Sequence, residues 1–172
     1  MASEKKERFR PGLFTPFFYR LHKSWVGAWI RLWHRPKLSG WENLPDDGPF
    51  LLVSNHSGGI ALAELSSFTV LSTQEFDNKR PLAGYAHHRL YDLPLIHSLM
   101  TGLGAIPSTY EAAEKTLDQG VPILMFPGGD HESLRPVWKA NEVDFNGRKG
   151  FLKIARRAQI PIVPMGIQGS HY

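Results

Sequence analysis

The stretch SNHSGG, residues 54–59, places one imidazole, His56, directly behind an apolar run and directly ahead of Ser57, Gly58 and Gly59. Glycines without side chains let a substrate approach the backbone closely. A neutral imidazole is a good general base near pH 7. It works best when its other ring nitrogen donates to a carboxylate that fixes the tautomer and stabilises the imidazolium. The nearest downstream carboxylate is Glu64. A lone histidine after a strand is more often structural. The glycines and the strand-end position argue for chemistry, and the residues alone leave both readings open.

A second stretch, ILMFPGGDHESLRP (residues 123–136), runs from an apolar segment through Phe126, Pro127, Gly128 and Gly129 into Asp130, His131, Glu132, Ser133 and Arg135. A loop with two glycines can present backbone N–H groups to an anion or a developing oxyanion. Arg135 has the geometry to pair with a phosphate. An ordinary polar turn after a strand has the same glycines.

Both stretches need elements to hold them, and the sequence supplies an alternation. Phe50–Ser54 reads as a buried strand and residues 60–73 as a helix. PLAGYA reads as a weaker strand, Leu95–Gly102 as a short helix, and GAIPS as a short strand. Tyr110–Gln119 reads as a helix closed by Gly120, and Val121–Phe126 as the clearest buried strand. Gly147–Ala158 reads as a helix and Pro161–Ile167 as a last strand. Such alternation predicts the α/β class, a single domain with a mixed, largely parallel sheet flanked by helices. Ligands of such sheets bind at the carboxyl ends of strands, where His56 and PGGDHES both fall.

Ahead of this domain (residues 37–172), residues 1–12 are charged and expected to fray. Residues 13–36 predict one amphipathic helix. Phe14, Phe18, Leu21, Trp25, Trp29 and Leu32 follow steps of three and four, with Arg20, Lys23, Ser24, Arg31 and His34 opposite and Pro36 at the end. A basic helix with an aromatic stripe has the composition of one lying in a membrane interface. A helix packed on its own domain shares the period.

The 172 residues suffice for one domain with a core, and zero cysteines exclude a disulfide scaffold or thiolate metal site. The net charge of +4 is moderate, so its placement matters more than its size. No stretch approaches the roughly 20 apolar residues of a membrane span. MASEKKERFRPG has no apolar region close behind it and does not read as a signal peptide. No G-x-S-x-G nucleophile elbow is present, and no basic–aromatic motif suggests nucleic acid.

From about Trp41 onward the sequence resembles the glycerolipid (lysophospholipid, PlsC-like) acyltransferases. Four blocks come in order. SNHSGG resembles N-H-x-x-x-x-D, and GLGAIPST resembles the acceptor-holding block. FPGGDHES resembles F-P-E-G-T-R-S, and IPIVPMGIQG resembles the closing V-P-I/V-I/V-P strand. FPGG in place of F-P-E-G looks like the branch related to mono- and diacylglycerol acyltransferases and bacterial relatives. The resemblance implies that an acyl thioester, on CoA or acyl carrier protein, is attacked by a hydroxyl of a lipid acceptor. His56 would deprotonate that hydroxyl, with no metal and no cofactor. Amides near Gly128 and Gly129 would stabilise the oxyanion.

The departures are specific. The family's aspartate falls at Ala61. Glu64, three residues on, shares a helix face with that position and is one methylene longer, so it is the expected orienting carboxylate, with Asp130 as fallback. The acceptor block lacks the usual arginine and offers Ser108, Thr109 and Tyr110. The third block has Gly128 for the glutamate and His131 for the arginine, with Arg135 as the replacement. The expected substrate-binding set is therefore Ser57, Gly58, Gly59, Ser108, Thr109, Phe126, Pro127, Gly128, Gly129, Asp130 and Arg135. His87 and His88, adjacent in an expected strand, point to opposite faces and make a poor metal pair. The cations Arg148, Lys149, Lys153, Arg156 and Arg157 form either a solvated face or an attraction for CoA phosphates or anionic headgroups. The expected partners are a lipid acceptor, the acyl donor and a membrane surface on the cytoplasmic side. Family members usually extend further, so a C-terminal piece beyond Tyr172 is expected.

Overall fold

A computed structural model describes residues 9–56 and 63–170. Ser57, Gly58, Gly59 and Ala61, all named above, lie outside the described residues. Strands β1 (Leu51–Ser54), β2 (Ala83–Ala86), β3 (Ile106–Pro107), β4 (Ile123–Met125) and β5 (Ile162–Met165) form one sheet in the order β3-β2-β4-β1-β5. All four pairings are parallel, so the mixed sheet expected from sequence is parallel throughout. The reason is that helices intervene between successive strands: α3 (Ala63–Phe76), α4 (Pro94–Gly102), α5 (Tyr110–Leu117), α6 (Gly129–Ser133) and α7 (Gly150–Ala158). Such crossovers return the chain to the same end of the sheet.

Side chains alternate across a strand, and two core layers follow. Leu51, Val53, Ile123 and Met125 pack on one face with Ala113 and Leu117 of α5 and Ile154 and Ala155 of α7. Phe50, Leu52 and Leu124 pack on the other face with Leu44 and with Phe68 of α3. Both faces being covered, the central strands read as continuous apolar runs.

Residues 13–36 do not form one helix. They form α1 (Pro16–Lys23) and α2 (Trp25–His34), separated at Ser24. Ser24 adopts an extended conformation, and its hydroxyl accepts from Val26 N while donating to Leu21 O. That cap starts a new helix and breaks the expected stripe. Gly27 and Ile30 become the buried residues of α2. A Cβ at Gly27 would sit on the backbone of His22, so glycine is what lets the two helices touch. Trp25, Trp29, Leu32 and Trp33 are left exposed, and the Trp29 and Trp33 rings stack with centroids 5.7 Å apart.

The last helix begins later than expected. Asn146 and Gly147 both have positive φ, so helix cannot start at 147. Arg148 is thereby left outside α7, free to turn towards α6.

Candidate active site

The sheet register brings the two glycine-rich stretches together. β1 and β4 are neighbours, with Val53 opposite Met125. His56 and Gly128 each lie three residues beyond that pair, past the ends of adjacent parallel strands. On the other side of β1, Ser54 is opposite Met165, and the Asn55 amide bonds both backbone groups of Ile167 just past β5.

His56 is held on three sides. Its Nδ1 bonds Glu64 Oε1 in the first described turn of α3. The Glu64 side chain is 0% exposed and that of His56 15%. With Nδ1–H donating to a carboxylate, Nε2 carries the lone pair that can take a proton. The ring leans on Phe126, centroids 4.7 Å apart. Its backbone N–H donates to Glu132 Oε2 at 2.8 Å. The structure thus brings His56, Glu64 and Phe126 together.

Glu132, one of the polar cluster after the FPGG turn, takes a role that the sequence reading leaves unassigned. It is wholly buried on α6, and Oε1 accepts from Asp144 N at 3.1 Å and from Arg135 Nη1 at 3.2 Å. The signal was available: Gly128 and Glu132 are four apart, the spacing that shares a helix face. It was obscured because PGGDHES reads as a turn, whereas residues 129–133 are helical.

Other expected site residues are placed differently. Arg135 is not turned outward for a phosphate. Its side chain is 6% exposed, with Nη1 on Glu132 and Nη2 on Ala140 O at 2.9 Å. A buried guanidinium bonded through both terminal nitrogens is a structural partner of the loop. Arg148 is the cation outside it, bonding Gly128 O and Asp130 Oδ1, both at 2.9 Å. Asp130 is therefore no partner of His56 here. The Arg148 hydrogen bond holds its carboxyl below the usual range, helped by the His131 backbone. His131 bonds Asp144 and lowers that carboxyl in the same way. The Gly129 amide donates to Phe126 O at 3.0 Å inside the turn, so it is engaged rather than presented to an oxyanion.

At the carboxyl ends of β2 and β3, Ser108 Oγ accepts from His88 N at 3.2 Å, and Thr109 Oγ1 caps α5 through Ala112 N. The Thr109 hydroxyl is thus committed to its helix. His87 and His88 lie past the end of β2 and stack, centroids 4.7 Å apart, instead of pointing to opposite faces. Among the described residues no group of three or more His, Cys, Asp or Glu could hold a metal ion. Of the α7 cations, Arg157 pairs with Glu114 of α5 at 3.2 Å.

Comparison with known proteins addresses the family and the fold. The family described as Acyltransferase matches residues 35–168. An uncharacterised protein of Mycobacterium bovis is 31% identical over 82% of this chain and 39% of its own length. A Bos taurus protein named "DGAT1/2-independent enzyme synthesizing storage lipids" is 30% identical over 86% of this chain and 46% of its own. The chain thus spans less than half the length of these curated relatives. The crystal structure of the 1-acyl-sn-glycerophosphate acyltransferase PlsC from Thermotoga maritima matches with a TM-score of 0.55 and 22% identity, over 91% of this chain and 63% of that one. That likeness concerns the fold, and the family match carries the assignment: this chain belongs to the acyltransferase family.

Proposed function

We propose that this protein moves a fatty acyl group from a thioester, acyl-CoA or acyl carrier protein, to a hydroxyl of a (lyso)phospholipid or glycerolipid acceptor. The observation that carries the reading is the His56–Glu64 contact at the carboxyl end of β1, beside the FPGG turn. His56 Nε2 takes the proton of the acceptor hydroxyl as its oxygen attacks the thioester carbonyl. The tetrahedral intermediate then collapses, the C–S bond breaks, and the imidazolium returns the proton to the leaving thiolate. Glu64 holds the ring in the required tautomer and offsets the imidazolium charge.

The acceptor resides in a bilayer and the donor in water, so the enzyme works as a peripheral protein on the cytoplasmic membrane face. Trp25, Trp29, Leu32 and Trp33, with Arg31 and Arg35 beside them, form the surface that meets the lipid. Among the described residues no helix is long and apolar enough to cross a membrane.

The test supplies labelled acyl-CoA or acyl carrier protein with a panel of lysolipids and lipid alcohols to wild type and His56→Ala. Acyl transfer in wild type, lost in His56→Ala, is the expected result. Transfer that survives the substitution removes the base. No transfer to any acceptor leaves an inactive lipid- or acyl-binding module of the same fold.

A further inference from the structure

Gly128 and Glu132 fit each other as one unit. A Cβ built on Gly128 would lie 2.4 Å from Glu132 Oε2 and 2.4 Å from its Cβ, with Cδ at 2.8 Å. The carboxylate therefore occupies the space that any side chain at 128 would enter. The resembled block F-P-E-G has its glutamate at this position. Here the glutamate stands one helical turn later, and the position it would have filled is empty of side chain.

The bonds made there concern His56 directly. Oε2 takes the His56 backbone N–H, and Oε1 takes Asp144 N and Arg135 Nη1. The Glu132 side chain is 0% exposed, and no water competes for these bonds. Arg135 pairs with the buried carboxylate from within the same loop, at 3.2 Å. His56 sits outside regular secondary structure, one residue beyond Asn55. Its backbone direction is set on one side by the Asn55 grip on Ile167 and on the other by Glu132.

We propose that Glu132 is a positioning residue for the His56 base, that Gly128 is glycine in order to seat its carboxylate, and that the pair does in this chain what one glutamate at 128 would do. The proposal rests on His56 acting as the base. Glu132 touches no reacting atom in it. It fixes where the ring starts, and Glu64 fixes how the ring turns.

Two substitutions attack the unit from opposite sides. In Glu132→Gln the shape is kept, but one carbonyl oxygen cannot accept on both sides, so either His56 N–H or the Arg135–Asp144 side is abandoned. In Gly128→Ala the carboxylate is intact but displaced. Each is expected to lower kcat about ten- to hundredfold, the scale of a lost hydrogen bond to a buried charge, with acceptor KM nearly unchanged. The double variant Gly128→Glu/Glu132→Gly, which also removes the Cβ that would meet the new side chain and returns a carboxylate from the other position, is expected to recover most of the loss. The structural readout is the His56 backbone amide resonance in protein labelled at its eight histidines, assigned by its loss in His56→Ala. A carboxylate acceptor shifts that signal downfield. It moves upfield in both single variants and back in the double one.

Wild-type kcat in Glu132→Gln, or a fall in kcat with the His56 amide unmoved, overturns the proposal. So does a folded double variant that recovers nothing. If Glu132→Gln does not fold, Gly128→Ala and the double variant decide by the same criteria. If none of the three folds, the role is architectural and the proposal is wrong. Failure of the base itself is distinguishable. Transfer surviving in His56→Ala removes the reading of His56, whereas the amide shifts report the tether without any turnover.

Discussion

Asn55 and Ile167 exchange two hydrogen bonds: Asn55 Nδ2 donates to Ile167 O at 2.8 Å, and Ile167 N donates to Asn55 Oδ1 at 2.7 Å. The amide side chain thus acts as a further rung between β1 and the segment after β5. It is placed one residue before the candidate base.

Asn55→Ala deletes both bonds and leaves two backbone groups unpaired. A stability loss of about 2–3 kcal/mol is expected, seen as a melting midpoint about 4–12 °C lower. Asn55→Asp keeps the acceptor but sets a carboxylate against Ile167 O, so it should be no better than alanine. A melting midpoint at the wild-type value in both would show that the rung is not needed.

Glu64→Gln keeps an acceptor for His56 Nδ1–H but removes the charge that balances the imidazolium. Acyl transfer is expected to fall by at least about tenfold, and His56→Ala by at least about a hundredfold, the lower end for general base catalysis. Single-turnover rates with saturating donor measure both. Equal rates for Glu64→Gln and wild type would leave the carboxylate without a catalytic part.

The α1–α2 pair should respond to acid in two stages. His22 is held below its ordinary value of 6.5, chiefly by burial, with the bond to the Phe18 carbonyl opposing. As pH drops below about 6.5, proton uptake by the unfolded imidazole favours opening. Asp77 is held below the usual 3.8 by the Lys23 hydrogen bond first and the Tyr19 hydroxyl second. Its contribution is complete above the unfolded carboxyl's value and is lost as pH falls through the lowered folded one. Melting midpoints from pH 8 to 3 should decline in wild type, less steeply below pH 6.5 in His22→Phe and less steeply near pH 3 in Asp77→Asn. Parallel curves for all three would refute the coupling.

Replacing Trp25, Trp29 and Trp33 by serine should abolish flotation with phospholipid vesicles. These side chains are 79%, 53% and 71% exposed, so the melting midpoint should move by no more than about 0.5 kcal/mol per site would produce. Undiminished flotation would assign membrane contact to another surface.

Much of this was readable from residue order. Apolar runs such as Val121–Phe126, broken by helical stretches, gave a mixed, largely parallel sheet, and the glycines after His56 marked a strand end. Glu64 was reachable because helix periodicity places it one turn past Ala61. What was hidden depended on competition between local signals. The stripe from Phe14 to Leu32 has helical spacing throughout, yet the Ser24 hydroxyl caps a new start within it. Arg135 looks like a phosphate ligand until Glu132 and Ala140 are seen to take its guanidinium. The role of Glu132 within its polar cluster is hidden because strand register, which sets Gly128 beside His56, is not written in either segment alone.

The strand order β3-β2-β4-β1-β5 also dictates when competence can arise. During synthesis from the amino end, β1 emerges with neither lateral neighbour yet made. Its β4 neighbour follows some seventy residues later and its β5 neighbour later still. The imidazole therefore leaves the ribosome well before Glu132 and the segment after β5 can brace its backbone, and the surroundings of His56 are complete only when nearly the whole domain has been translated.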